Sequence, residues 1–466
     1  MVLFFRLLML EKISEENITM VILTLNCGSS SLKYQVYDWD AKDVLAKGVV
    51  ERVGQASSDL EHEATGKAEY KGQKPCKTHT DAVAWVLEML VDGQYGCLKD
   101  MNEIKAVGHR IVHGGAHFTH STIITAAVID EFKKIEHLAP LHNPANMMGI
   151  QATMSLLPHV PQCAIMDTAW HQTMPKVAYS YAVPQEWHDQ YGVRRYGFHG
   201  TSYIYTTKRA AVLLGKPSDQ VNLIICHVGN GASICAVKNG VAIDTSMGLT
   251  PLEGLVMGSR SGDIDPAIPG FMMRTTGMSA SEIDNALNKK SGLLGITGQY
   301  TDRRDVSKGI AAGDEKCILA HDLETYRLRK YIGSYVAALG VKPDAIIFTA
   351  GVGEFDSEVR EHTLEHLEHM GIKMDKAKNK LARTRNAETC ISASDSAVKI
   401  LVIPTDEELV MTEDTYALVN AQYDIHTRYQ YSFAQKGYMN KAREANLPRD
   451  LQRLPGLDKI IVRSQQ

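Results

Sequence analysis

Leu223–Val237, LIICHVGNGASICAV, reads as a buried strand (Leu223–His227), a small-residue turn (Val228–Ala232) and a second strand (Ser233–Val237), followed by the hairpin signal Lys238-Asn239-Gly240. Some two hundred residues earlier the chain opens the same way: VILTL, then NCGSSS around Asn26, then LKYQVYD. Two such copies suggest a duplicated α/β domain with a cleft between the halves. Glycine turns after strands are common in any α/β protein, so this pair alone leaves duplication open.

Working outward, Val83, Val86, Leu87 and Leu90 line one face of a helix over about 80–91, with Thr80 as its cap. Leu328, Ile332, Tyr335, Val336 and Leu339 form a second helical stripe ended by Gly340. The strand Ala345–Thr349 then runs into a glycine loop, Ala350-Gly-Val-Gly-Glu354, at the strand end where α/β sheets usually bind ligands. GxxxxGK[ST] and the Rossmann spacing are both missing. What remains as a phosphate holder is three glycine or serine turns after strands, able to point backbone N–H groups at an anion.

A length of 466 residues suits two domains better than one. The 50 basic and 54 acidic residues are well mixed, which argues against a nucleic-acid partner. Eight scattered cysteines without a CxxC pair argue against a zinc ribbon or a disulfide framework and fit a reduced, cytoplasmic protein. The apolar MVLFFRLLML is too short to span a bilayer and lacks signal-peptide flanks, so no membrane association is expected and the fold is expected to begin near Met20.

Seven elements place charged or imidazole groups beside glycine or proline: NCGSSS (26–31), HRIVHGG (109–115), LAPLHNP (138–144), MDTAWH (166–171), YGFHGTS (196–202), HVGNG (227–231) and the loop MGLTPLEGLVMGSRSGDIDP (247–266) around Arg260. Singly each is weak. His109 and His113 have metal-ligand spacing but no intervening carboxylate, Asp167 reads equally as a turn cap, and Arg110 as half of an ion pair. Two isolated arginines, several imidazoles, Asp167, the pair Glu407/Glu408 and three phosphate-type turns together resist a purely structural account.

These motifs, with LTLNCGSSSLKY, RRYGFHGTSY, SGLLGITG and IPTDEEL, resemble the acetate kinase family from about residue 21 to 424, and TPLEGLVMGSRSGDIDP is highly specific to it. The resemblance implies an α/β fold of two duplicated actin-like (ribonuclease-H-like) domains around a nucleotide cleft, assembled as a homodimer. The implied division is an N-terminal extension 1–19, an acyl-phosphate-side domain 20–167 completed by 409–424, a nucleotide-binding domain 168–408 and a basic C-terminal extension 425–466, expected as a solvated surface segment.

The implied reaction is reversible, Mg²⁺-dependent (or Mn²⁺-dependent) in-line phosphoryl transfer between ATP and acetate, giving ADP and acetyl phosphate. By resemblance Arg110 and Arg260 hold the carboxylate and the phosphoryl group, His199 donates to the phosphoryl group, and His142 lies nearby. Asp167 and Glu407 form the metal side, with Asn26 contacting the transferring phosphate and the metal. Val112, Leu141, Phe198 and Pro251 match the acetate pocket, though each reads equally as ordinary core. Ser29, Ser31, Lys33, His227, Gly229, Asn230 and Gly231 match the nucleotide phosphates. Asp302, Arg304, Gly351, Val352 and Gly353 match the adenine side.

Three departures stand out. Tyr203 replaces the imidazole of GTSH, Phe355 removes an amide from GIGEN, and Arg303 adds a charge beside the adenine position. The alternatives are a propionate or other short-chain carboxylate kinase, a non-catalytic actin-like nucleotide binder, and a histidine-metal hydrolase.

Overall fold

The computed structural model describes residues 20–140 and 142–464. The expected N-terminal extension and Leu141 lie outside the described residues. The chain forms two compact units, one of residues up to 109 plus 145–163, the other of 110–144 plus 164 onward. These cuts fall inside two strands, Ile104–Ile111 and Gln162–Met166, and differ from the 167/168 division expected from the sequence.

The strands, numbered along the chain, are β1 Val21–Cys27, β2 Ser31–Asp38, β3 Asp43–Glu51, β4 Ser58–Ala64, β5 Tyr70–Lys74, β6 Ile104–Ile111, β7 Thr122–Ile123 and β8 Gln162–Met166. The later ones are β9 Leu223–Val228, β10 Ala232–Lys238, β11 Val241–Thr245, β12 Ala345–Thr349, β13 Thr389–Cys390 and β14 Lys399–Val402. The first sheet has the order β5-β4-β3-β2-β1-β6-β8-β7 and the second β11-β10-β9-β12-β14-β13. In both, an antiparallel meander of three strands (β1–β3, β9–β11) continues into a strand parallel to its first member, β6 beside β1 and β12 beside β9. The inner order β3-β2-β1-β6-β8 therefore repeats as β11-β10-β9-β12-β14, and the fold is the duplicated actin-like one.

Local chemistry explains the repeats. β9 and β10 are almost wholly buried, hence continuous apolar runs rather than alternating ones. Asn239 and Gly240 both take positive φ (50° and 75°), as the two-residue turn into β11 requires. The stripe at 328–339 belongs to the helix Glu315–Leu339, with Leu328, Ile332, Tyr335 and Leu339 buried and Gly340 capping it at φ 63°.

Three expectations need correction. The first helix runs His79–Leu90 and is capped by Thr78, not Thr80, because Thr78 and Asp81 exchange side-chain and backbone hydrogen bonds as a capping box. The glycine segment after β12 is not a loop. It is the short helix Ala350–Phe355, entered by Ala350 at φ 66°.

The basic C-terminal extension is folded into the second unit. Tyr431, Phe433 and Leu457 are fully buried, Ile461 bridges Thr389 beside β13, and Arg209 joins Glu388 at 2.6 and 2.7 Å while donating to the Phe433 carbonyl at 2.9 Å. Periodicity was diluted there by many basic residues, but the apolar ones point inward. Phe433→Ala is therefore expected to destabilise the protein by about 3–5 kcal/mol, read as a lower urea midpoint; an unchanged midpoint would contradict this packing.

Candidate active site

Most of the residues singled out from the sequence fall in the second unit. Arg110 near the end of β6 and Asp167 just after β8 form a bidentate pair, Nε to Oδ1 at 3.0 Å and Nη2 to Oδ2 at 2.6 Å. Asp167 is 1% exposed. Its N–H donates to the Ile111 carbonyl, and its own carbonyl accepts from the Gly200 N–H at 3.0 Å. A Cβ on Gly200 would sit 2.1 Å from that carbonyl oxygen, so only glycine can begin the helix Gly200–Leu214 here. His199, one residue earlier, is left at φ 61°, a strained position for a residue with a side chain.

His199 stacks on His227 at the end of β9, centroids 4.0 Å apart and planes within 15°. Each Nδ1 meets a serine: His199 faces Ser233 Oγ at 2.8 Å, and His227 faces Ser202 Oγ at 2.8 Å. Thr201 Oγ1 donates to Glu407 Oε2 at 2.9 Å, linking the start of the helix Glu407–Val419 to the turn after His199. Arg260 is half-buried and rests on the Pro251 carbonyl (3.0 Å) and Met257 sulfur (3.7 Å). Gly231 is the meeting point. A Cβ there would lie 3.5 Å from His199 Nε2 and 3.6 Å from Arg260 Nη1.

Mutual electrostatics show which groups share this space. Burial lowers the Arg260 pKa, and the nearby Arg110 charge lowers it further. Burial opposes charge on Arg110 too, but Asp167, with Glu407 and Glu408 behind it, holds that guanidinium protonated. Burial pushes His142 down to about 4, assisted by Arg260 and Arg110. His199 falls well below its ordinary value through burial and then His227, Arg110 and Arg260. Arg110 is thus coupled electrostatically to each of His142, His199, His227, Arg260 and Glu407.

The nucleotide-side residues are only partly assembled. The Gly229–Gly231 turn closes on itself, Gly229 N–H to the Gly231 carbonyl at 3.1 Å, and the Asn230 carbonyl accepts from Gly258 of the Arg260 loop at 3.1 Å. Gly229 faces Ala350, which opens the helix carrying Gly351, Val352 and Gly353. Asp302 caps the helix Arg303–Ala311 and pairs with the exposed Arg304. Arg303 points away from the surface, buried against Glu324, Asp356 and His321, so it adds no free charge there. Phe355 lies 5.6 Å from the Arg385 guanidinium.

Val112 is packed against the second unit's core, and Phe198 and Pro251 are buried. Asn26, Ser29, Ser31 and Lys33 belong to the β1–β2 hairpin of the first unit, whose turn is closed by the Gly28 N–H on the Ser31 carbonyl at 2.8 Å. His79 Nε2 and Asn146 Nδ2 donate to the Gly28 and Cys27 carbonyls and brace that turn.

His109 and His113 are committed to separate partners, His109 to Gln162 at 2.7 Å and His113 to the Leu249 carbonyl at 3.2 Å. Sequence reasoning missed Thr201 and Ser233. Thr201 lay in a quoted motif without an assigned partner; Ser233 looked like one more small residue in a buried strand.

A ribonuclease-H-like fold with converging guanidiniums beside glycine turns is the arrangement of a phosphotransferase, here a kinase acting on a carboxylate. Residues 21–413 match the model of the acetokinase family, and the chain belongs to that family. It is 58% identical to an acetate kinase of Treponema pallidum over 443 residues, covering 95% of this chain and 99% of the relative. It is 56% identical to that of Geobacter sulfurreducens, covering 91% and 100%. Among solved structures, Porphyromonas gingivalis acetate kinase aligns with TM-score 0.81 at 45% identity, covering 86% of this chain and all of that one. A Francisella tularensis propionate kinase aligns at 0.80 and 40%, with the same coverage.

Burial gives an acid limit. His113, His142, His171 and His227 titrate at about 4 in the folded protein, against 6.5 when unperturbed. Between these values the unfolded chain binds more protons, so stability is intact above about pH 6.5 and lost as pH falls toward 4. Thermal unfolding followed from pH 7 to 4.5 is expected to show a steadily falling midpoint, with His227→Gln reducing the slope. A midpoint flat through this range would contradict the buried, neutral imidazoles.

Proposed function

We propose that this chain transfers a phosphoryl group reversibly between ATP and acetate, giving ADP and acetyl phosphate. The observation that supports it most directly is the convergence of Arg260 Nη1 and His199 Nε2 beside Gly231, within the field of Arg110. Acetate, with a pKa near the ~4.3 of a glutamate side chain, is already an anion at neutral pH and needs no base. The barrier is repulsion between a carboxylate and a polyphosphate, so the work is positioning and charge stabilisation.

In this reading Arg110, oriented by Asp167, and Arg260, held on its glycine-rich loop, neutralise the carboxylate and the moving phosphoryl group. His199 donates a hydrogen bond to a phosphoryl oxygen, with His142 alongside. Gly229, Asn230 and Gly231 with His227 line the nucleotide phosphates, and Asn26, Ser29, Ser31 and Lys33 of the first unit form a second phosphate-type turn. Asp302, Arg304 and Gly351–Gly353 take the adenine side. The functional halves are 20–167 with 409–424 and 168–408, in a cytoplasmic homodimer.

In the second unit the carboxylates of Asp167 and Glu407 would hold a hard divalent cation that keeps most of its waters, which we take to be Mg²⁺ or Mn²⁺. Bound there, it would supply charge neutralisation on the phosphates. Chelation by EDTA is expected to abolish turnover and added Mg²⁺ to restore it.

Hydroxylamine trapping of acyl phosphate from ATP, Mg²⁺ and acetate, propionate or butyrate tests the reaction. Acetate is expected to give the strongest signal, with each added methylene costing ~1–3 kcal/mol in the pocket of Val112, Phe198 and Pro251. The alignment with a propionate kinase keeps propionate as the alternative substrate, and a larger propionate signal would establish that reading. No signal from a folded protein would leave a nucleotide binder. Arg110→Ala and Arg260→Ala are each expected to lower kcat by about 10²–10³; near-normal rates in both would refute the electrostatic assignment.

A further inference from the structure

We propose that Tyr203 is a positioning residue which, through Ser233, fixes His199 in the tautomer that carries its proton on Nε2. Tyr203 stands in the first turn of the helix Gly200–Leu214 and is fully buried. Among the described residues its hydroxyl has one hydrogen-bond partner, Ser233 Oγ at 2.5 Å. Ser233, on β10 and also fully buried, has His199 Nδ1 at 2.8 Å as its other partner.

Two proton orders satisfy these distances, but only one leaves no buried donor stranded. If Ser233 donated to the phenol, the Tyr203 proton would have no acceptor, which buried hydroxyls avoid. Tyr203 therefore donates to Ser233 Oγ. The single Ser233 proton then goes to Nδ1 of His199, which must be a bare acceptor. Burial, with His227, Arg110 and Arg260 nearby, keeps the ring neutral, so its one proton sits on Nε2.

That nitrogen is the one facing Gly231, where Arg260 Nη1 also arrives. The ring is therefore a hydrogen-bond donor toward that point rather than an acceptor that would repel an anion. The stack with His227 and the strained φ of His199 hold the ring in place, while the Tyr203–Ser233 chain selects its tautomer. The tautomer follows from the hydrogen-bond geometry and the buried, neutral ring; its catalytic value rests on the reading of His199 as the phosphoryl donor given above.

The test is long-range ¹H–¹⁵N NMR of the full chain labelled with ¹⁵N-histidine, using His199→Gln to assign the His199 signals. The wild type is expected to show a protonated Nε2 and a bare Nδ1. Tyr203→Phe frees the Ser233 lone pairs, so Nδ1 is expected to gain proton occupancy while kcat falls about tenfold or more at nearly unchanged KM, as a wrong tautomer does elsewhere. Tyr203→His, which can again donate to Ser233, is expected to restore both. Ser233→Ala should alter the His199 shifts in the same sense and serves if the phenylalanine variant does not fold.

A wild-type His199 protonated on Nδ1, or unchanged shifts in folded Tyr203→Phe, would overturn the proposal. Altered shifts with an unaltered rate would uphold the positioning and overturn the role assigned to His199.

Discussion

The bidentate pair between Arg110 and Asp167 is the constraint from which the local geometry follows. It ties the end of β6 to the end of β8, and the Asp167 carbonyl receives the first N–H of the helix at Gly200. That close approach admits no side chain at residue 200, so the turn must be completed one residue earlier, and His199 takes the left-handed conformation. A buried ion pair adds little net stability, yet leaving one of its charges alone costs about 3–5 kcal/mol. Its contribution here is positional: it aims a guanidinium and seats the helix start that carries Thr201, Ser202 and Tyr203.

Arg260 differs from the arginines of this chain that face a carboxylate. Arg195 and Arg209 each face a carboxylate, Glu253 and Glu388, at 2.6 Å. Among the described residues no ion pair forms on Arg260, which leans on a carbonyl and a thioether and is repelled by Arg110. Such a placement, a half-buried guanidinium without an ion pair, is unfavourable for folding. The His199–His227 stack pairs two rings kept neutral chiefly by burial, with Arg110 adding to it on both and Glu407 opposing it on His227.

Much of the fold was legible because its signals are local. The β9–β10 hairpin, the Asn239-Gly240 turn and the stripe from Leu328 to Leu339 are set by neighbours in sequence. The Thr78 cap was misplaced by two residues because both threonines suit the role and only the reciprocal bond with Asp81 decides. Glycines at 351 and 353 suggested a loop, but the helix starts at once because Ala350 absorbs the change of direction. Arg303 and Ser233 show a different limit. Whether a charge faces solvent or Glu324, and whether a strand serine meets an imidazole, depends on residues far away in the chain.

The C-terminal extension shows how such distant contacts reach the site. Arg443 donates to the Pro404 and Thr405 carbonyls at 3.0 and 2.8 Å, and Asn440 to Asp406 at 2.9 Å. Asp406 in turn accepts from the Leu409 N–H and caps the helix whose first residue is Glu407. A cap both fixes where a helix begins and removes orphan N–H groups from its first turn. The carboxylate that meets Thr201 is therefore placed from two directions, by the turn after His199 and by the extension. Composition alone made this segment look like a solvated basic tail. One of its cations, Arg443, instead satisfies two backbone carbonyls of the loop before Glu407, a task for which position matters and net charge does not.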